Sequence, residues 1–274
     1  AARVKREYER RVRGAGEGRA TGAAAEADPR QSGERPPRKK ESEAMVSGII
    51  LAGGSSTRYG TGENKTLAKL CGRPVLEYSL RVFLQSPLVE EVVLAAKAGE
   101  ETLLQELAAA LCPQKPVTVV TGGADRAASV KNALEAARGE TVLIHDGARP
   151  LVTAAMLADC LTTLEEADGA TVAVPSRDTV KLADSNGYVT TTTERSKTWL
   201  IQTPQAFRRE ELLALHRSIT ERETVTDDCM LLERAGRRVK LVMGSYRNLK
   251  ITTPEDRELA EFYLEKRNRV NEYQ

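Results

Sequence analysis

The sequence predicts an α/β fold, a mostly parallel sheet with helices on both faces. Two observations carry this. From Val46 onward, strand-like apolar runs alternate with helix-like amphipathic runs, the order expected of βαβ units. The strand-like runs are also nearly continuous in apolar residues, as in Val-Ser-Gly-Ile-Ile-Leu-Ala at 46–52, which marks strands buried on both faces. Ligands bind such sheets outside the carboxyl ends of the strands. Chemistry is therefore expected just after Ala52, Val120, Asp146 and Val174.

Taken in order, residues 1–44 stand apart. They are rich in Arg, Ala, Gly, Glu and Pro and nearly lack large apolar side chains. Such a segment cannot offset its ordering entropy, so a disordered charged extension is expected. It has no apolar core of a secretory signal, and its interspersed Glu residues argue against an organellar transit peptide. Met45 reads as the natural start and what precedes it as dispensable; a basic arm that binds RNA or a partner is the alternative. Residues 45–274 then form the folded domain. The first strand, 46–52, is followed by a helix over 74–85, which opens with Pro74 at a first-turn position. A strand over 89–96 leads to a helix over 100–111 with Leu103, Leu104, Leu107 and Leu111 on one face. Strands at 116–120, 141–146 and 170–174 follow, separated by helices at 126–138 and 153–166.

Residues 178–200 break the alternation. Asp184-Ser185-Asn186-Gly187 lies between β-prone runs at 179–182 and 188–192, and Asn-Gly in that setting is a strong hairpin signal. This hairpin has few apolar residues for the main core, so it reads as a projecting arm that pairs with a second subunit. A solvated surface hairpin is the plainer alternative. A helix over 209–218 resumes the domain. Thr226-Asp227-Asp228 reads as the N-cap and acidic first turn of another helix, which Gly236 ends. A strand at 239–243 and a helix over 254–266 close the fold.

The chain has 274 residues, of which 41% are hydrophobic, 29% charged and 4% aromatic, with a formal net charge of +2. Near-neutrality gives no general argument for nucleic acid or membrane partners, and no apolar run approaches the roughly 20 residues of a bilayer span. Cys71, Cys112, Cys160 and Cys229 are widely spaced, and His145 and His216 are the only histidines. A zinc site and a disulfide framework both lack support. The cysteines read as buried thiols of a cytoplasmic protein.

The most informative stretch is Gly53-Gly54-Ser55-Ser56-Thr57-Arg58-Tyr59-Gly60 after the first strand. Small residues let backbone N–H groups approach an anion, and Arg58 and Lys65 supply charge. Neither the P-loop nor the G-x-G-x-x-G pattern is present, so this reads as a nucleoside triphosphate cradle of another type, with an ordinary Gly-rich turn as the alternative. Gly122-Gly123 followed by Ser129 opens the helix after the third strand and suits a base edge or a phosphate. His145-Asp146-Gly147-Ala148-Arg149-Pro150 follows the fourth strand. Asp146 is placed to hold Mg²⁺ beside triphosphate oxygens, and Arg149 to hold an anionic second substrate. His145 reads as a packed, hydrogen-bonded core residue rather than a general base. Lys250 would be a third cation at the polyphosphate. No Ser-His-Asp order or activated Cys is apparent, so direct in-line phosphoryl or nucleotidyl transfer is expected.

These stretches, with Arg177-Asp178-Thr179-Val180-Lys181, Glu194-Arg195-Ser196, Gln202-Thr203-Pro204-Gln205-Ala206-Phe207, Thr226-Asp227-Asp228 and Asn248-Leu249-Lys250-Ile251-Thr252, closely resemble the 2-C-methyl-D-erythritol 4-phosphate cytidylyltransferase family. The resemblance runs from about Val46 to the last helix. It implies a Rossmann-like fold of nucleotidyltransferase type and transfer of a cytidylyl group from CTP to methylerythritol phosphate with Mg²⁺. It further implies that Arg58, Lys65 and Lys250 are catalytic, and that Ala52, Gly53, Gly54, Gly123, Ser129 and Asp146 bind CTP. Asp146, Arg149, Thr179, Thr203 and Thr226 would hold the sugar phosphate. Arg195 would reach from the arm into a partner's site, making a homodimer. Ala124 stands where some members carry an acidic residue; Gly147 replaces an Ala and is expected to be neutral. Relatives that act on ribitol 5-phosphate share the CTP half and remain an alternative, as does a catalytically silent scaffold. A standalone enzyme is expected.

Overall fold

The computed structural model describes residues 44–53, 64–219 and 225–271. The expected disordered extension, the Gly54 to Gly60 loop and Arg58 lie outside these residues. Seven strands form the central sheet. In chain order they are β1 (Val46–Leu51), β4 (Glu91–Ala96), β5 (Val117–Thr121), β6 (Thr141–Asp146), β7 (Gly169–Pro175), β10 (Trp199–Arg208) and β11 (Val239–Met243). Their spatial order is β11-β7-β10-β6-β1-β4-β5. All neighbours run parallel except β10, which is antiparallel to both β6 and β7. Two short pairs complete the strands: β2 (Lys69–Leu70) with β3 (Arg73–Pro74), and β8 (Lys181–Ala183) with β9 (Val189–Thr192).

The helices are α1 (Val75–Gln85), α2 (Glu101–Leu111), α3 (Arg126–Ala136), α4 (Ala154–Leu164), α5 (Arg209–Arg217), α6 (Cys229–Arg234) and α7 (Pro254–Asn271). Successive side chains of a strand face opposite ways, and β1 divides accordingly. Ile50 packs with Leu80 and Phe83 of α1, Leu104 of α2 and Leu157 of α4. Ile49 packs on the other face with Leu134 of α3, Leu213 of α5 and Leu232 of α6. A sheet covered on both sides is thus what the continuous apolar runs require. A smaller cluster docks α7, through Ala260 and Leu264, onto Leu70, Val75, Leu151 and Ile251.

The predicted α/β class and nearly every predicted element are present. The sequence reading passes over the short β2–β3 pair and β10, the central antiparallel strand. Pro204, cis after Thr203, sits where the β10–β7 register breaks between Ile201 and Gln205, so its missing N–H takes no bond from the ladder. The β8–β9 hairpin forms a separate two-stranded sheet, with all residues of both strands exposed. Among the described residues, no helix is long and apolar enough to cross a membrane.

Candidate functional site

The carboxyl ends of β1, β5 and β6 bring the expected site residues to one edge of the sheet. At the end of β1, the Ala52 and Gly53 N–H groups both donate to the Ala95 carbonyl, each at 2.9 Å. The Ala52 carbonyl in turn accepts from Asn64 Nδ2 at 2.9 Å and Thr66 Oγ1 at 2.8 Å. These bonds return the chain to the strand end where it departed, with half-buried Lys65 held between the two anchors.

At the end of β5, the turn closes on itself. Gly123 N–H donates to Ser129 Oγ at 3.0 Å, and Ser129 O–H donates to the Asp125 carbonyl at 2.8 Å. A Cβ on Gly123 would lie 2.3 Å from Ala128 Cβ, so no larger residue fits. Asp125 caps α3 by accepting from the Ala128 N–H at 2.8 Å. Arg126 opens that helix and points to the end of β6.

There Asp146 is the hub. Lys250 Nζ lies 3.0 Å from Oδ2, Arg149 Nε 3.4 Å from Oδ2 and Arg126 Nε 3.7 Å from Oδ1. Burial opposes ionisation of this carboxyl, but the three cations outweigh it and hold the group well below the usual carboxylate range. Arg149 is itself fixed, donating from Nη1 to the Asn248 carbonyl at 2.9 Å. Asn248 is fully buried and donates from Nδ2 to the Thr203 carbonyl at 2.9 Å, locking the segment that carries Lys250 against β10.

Thr203 is buried, and its hydroxyl serves the protein. The Asp146 N–H donates to Thr203 Oγ1 at 3.0 Å, and Thr203 Oγ1 lies 2.9 Å from His145 Nδ1. His145 Nε2 lies 3.1 Å from the Arg149 carbonyl. A carbonyl only accepts, so Nε2 carries the proton, Nδ1 is bare, and the Thr203 hydroxyl donates to it. Burial pulls this imidazole down from 6.5 to about 4. His145 is therefore a neutral hydrogen-bonded strut, as the sequence reading expects.

Thr179 and Arg195 are exposed on the arm, and Thr226 is exposed just before α6; none of them lies within the Asp146 cluster. At Gly147, where the resemblance has an Ala, this chain's packing leaves little room for a methyl. A Cβ there would meet the Leu51 carbonyl oxygen at 2.8 Å and Leu76 Cδ1 at 2.9 Å. The reading of Asp228 as an acidic helix start needs correction. Its carboxylate makes no cap and is fully buried, 2.7 Å from Arg126 Nη1 and 3.0 Å from His216 Nε2. Arg126, Asn248, Asp228 and His216 are thus site-associated residues to which sequence reasoning gave no role. Arg126, Asp228 and Asn248 lie in motifs already singled out, whereas His216 carries no local signal.

Mg²⁺ fits this donor set in one way. Among the described residues no cluster of three His, Cys, Asp or Glu residues could hold a metal. Asp146 alone offers a hard oxygen, with Oδ1 less tightly held than Oδ2. That suits an ion shared between one carboxylate and substrate phosphates.

The 2-C-methyl-D-erythritol 4-phosphate cytidylyltransferase family model, IspD, matches residues 46–266. The cytidylyltransferase of Desulforamulus reducens is 43% identical over 224 residues, covering 80% of this chain and 96% of that protein. The Geobacter metallireducens cytidylyltransferase is 43% identical over 229 residues, covering 81% and 98%. The crystal structure of 4-diphosphocytidyl-2C-methyl-D-erythritol synthase from Anaerococcus prevotii superposes with a TM-score of 0.72 at 31% identity, covering 82% of this chain and all of that one. The Thermus thermophilus cytidylyltransferase gives 0.65 at 31% identity, covering 80% and 98%. Matched along almost its whole described length in sequence and in fold, the chain belongs to the 2-C-methyl-D-erythritol 4-phosphate cytidylyltransferase (IspD) family.

Proposed function

We propose that this chain transfers a cytidylyl group from CTP to 2-C-methyl-D-erythritol 4-phosphate. The products are 4-diphosphocytidyl-2-C-methyl-D-erythritol and pyrophosphate, and the step belongs to non-mevalonate isoprenoid precursor synthesis. The observation that carries it is the convergence of Lys250, Arg149 and Arg126 on buried Asp146 at the sheet edge, in a chain of this family. Three cations around one carboxylate leave positive charge for two anionic substrates.

A phosphate oxygen of the second substrate attacks the α-phosphorus of CTP. The new P–O bond forms as the bond to the β-phosphate oxygen breaks, and pyrophosphate leaves with the electron pair. Both reactants carry their own phosphates, so the chain's work is to align them and offset negative charge. Lys250, Lys65 and Arg58 take the triphosphate and the charge that builds at phosphorus. The Gly123–Ser129 turn and the end of β1 receive the cytosine, and Arg149 and Thr226 the sugar phosphate. Asp146 would hold Mg²⁺ together with triphosphate oxygens, and the ion would neutralise phosphate charge.

Arg195 and Thr179 need a route to the site, and a homodimer provides one. Leu182, Tyr188 and Val189 of the arm are 53%, 74% and 60% exposed, apolar surface that a second copy would cover. With free cysteines, two of them buried, we assign the reaction to the cytoplasm. Pyrophosphate release with CTP and Mg²⁺ tests the assignment. Methylerythritol 4-phosphate should be turned over rapidly and ribitol 5-phosphate should not; turnover of only the latter, or of neither, overturns it. Release that survives complete chelation of divalent ions removes Mg²⁺. If arms exchange, mixing inactive Arg195→Ala and Lys65→Ala chains restores activity; no restoration refutes the shared site.

A further inference from the structure

Two ionisable side chains without an assigned role are buried together, His216 near the end of α5 and Asp228 at the start of α6, and they meet the partly exposed Arg126 at the start of α3. The side chains of His216 and Asp228 have no solvent exposure. His216 Nε2 lies 3.0 Å from Asp228 Oδ1, and Arg126 Nη1 lies 2.7 Å from Asp228 Oδ2. Arg126 then presents Nε to Asp146 Oδ1 at 3.7 Å. A continuous line of charged and polar groups runs from beneath α5 and α6 to the hub of the site.

We infer that His216 is a positioning residue for the nucleotide site, acting through Asp228 to fix the guanidinium of Arg126 beside Asp146 and the Gly123–Ser129 turn. The inference rests on the cytidylyltransferase reading of that site.

Three features favour this over simple packing. A buried carboxylate is costly unless its charge is met, and Asp228 meets His216 through a hydrogen bond at Oδ1 and Arg126 through an ion pair at Oδ2, a 2.7 Å contact not aligned as a hydrogen bond. Its direction is therefore set from both sides, and losing one partner frees it to turn. The imidazole has no other polar tie of its own, since Nδ1 has no hydrogen-bond partner among the described residues; its one bond is the bond to Asp228. Arg126 is also a long side chain with several rotatable bonds. It stands at the first turn of the helix that the Gly123–Ser129 turn opens. A guanidinium held there between two carboxylates keeps one position before the nucleotide arrives, and the binding step is spared that ordering cost.

The test compares full-length wild type, His216→Leu and His216→Gln. Leucine removes the donor; glutamine keeps an N–H that can reach Asp228. We expect His216→Leu to raise KM for CTP about tenfold with less than a threefold fall in kcat. His216→Gln should recover to within twofold of wild type. In an Arg126→Met background, His216→Leu should change KM for CTP by less than twofold, because the group it acts through is gone. An unchanged KM in His216→Leu, or the same factor in both backgrounds, overturns the inference.

A second measurement needs neither substrate nor a variant that folds. In ¹⁵N-arginine spectra of the wild-type protein, the Arg126 guanidinium should rotate slowly and its Nε–H exchange slowly with solvent. A freely rotating Arg126 overturns the inference even if the enzyme is active. A wild-type protein that releases no pyrophosphate from CTP and methylerythritol 4-phosphate instead refutes the functional assignment, and the spectra still decide the Arg126 link.

Discussion

Thr203→Val tests the polarity of the strut beneath Asp146. Three bonds meet there: Asp146 N–H to Thr203 Oγ1 at 3.0 Å, Thr203 O–H to His145 Nδ1 at 2.9 Å, and His145 Nε2–H to the Arg149 carbonyl at 3.1 Å. Valine has nearly the shape of threonine but can neither accept from Asp146 nor donate to His145. All three residues are buried, with Thr203 only 4% exposed, so water does not replace the lost partner. Each stranded group costs about 1–3 kcal/mol, and two of them give about 2–6 kcal/mol. A central loss of about 4 kcal/mol in a domain of this size lowers Tm by about 8–16 °C. Thr203→Ser keeps the hydroxyl and should lose about 1 kcal/mol or less. Urea and thermal denaturation of the two variants give the comparison, with pyrophosphate release as a second readout. With its N–H unheld, Asp146 should lose its register with Lys250, and the rate should fall at least tenfold in the valine variant. A Thr203→Val protein within about 0.5 kcal/mol of wild type would refute the bonding scheme, tautomer included.

Stability should fall on mild acidification. The His145 imidazole is held down at about 4 against an ordinary 6.5, so the unfolded chain takes up its proton first. The stability linked to His145 is full above about pH 6.5 and is lost between about 6.5 and 4, about 3 kcal/mol in all. Asp146 and Asp228 are both depressed, so their contributions also vanish as pH falls, in the range below the ordinary carboxylate value. Denaturation midpoints measured from pH 8 to pH 4 that stay flat would contradict this. Gly147→Ala should cost about 1–3 kcal/mol by denaturation, because a methyl must displace the Leu51 carbonyl or Leu76; a neutral result would mean the end of β1 yields freely. Lys65→Ala should lower kcat at least a hundredfold and weaken CTP binding by under tenfold, since its charge counts most at the pentavalent phosphorus. Equal losses in turnover and in CTP affinity by calorimetry would make it a binding residue only.

The fold was legible where one local rule decided each element. The runs that became β1, β4, β6 and β7 are apolar on both faces because helices cover both faces, and that is written in consecutive residues such as Ile49 and Ile50. The β8–β9 hairpin was legible from Asn186-Gly187, with Gly187 at φ 85° in the left-handed region that glycine takes at no cost. β10 was not. Its sequence carries Gln202, Thr203 and Gln205 where a central strand should be apolar, and Pro204 where a ladder needs an N–H. The fold resolves each conflict at long range. Gln202 donates to the Ser245 carbonyl at 2.9 Å, Gln205 to Thr171 Oγ1 at 3.0 Å, and Thr203 serves Asp146 and His145. A strand whose polar side chains find their partners in distant segments looks like a loop until those segments are placed.

The same reasoning explains which parts of the site could be read. Asp146 and Arg149 follow from topology: once β6 is a parallel strand, what leaves its carboxyl end faces the ligand edge. Asp227 and Asp228 are indistinguishable by any local rule, two acidic residues ahead of a helix. The fold separates them. Asp227 accepts from the Cys229 N–H at 2.5 Å just ahead of the helix, as a capping acid should. Asp228 turns inward, where its charge stands only because Arg126 and His216 come to meet it. Burial alone would protonate it, yet the cation of Arg126 and the bond from His216 keep its pKa below the usual value. A carboxylate that is a surface cap in one environment becomes the fixed end of an arginine in another. The deciding partner arrives from a helix far away in the chain, so no window of sequence around Asp228 contains the answer.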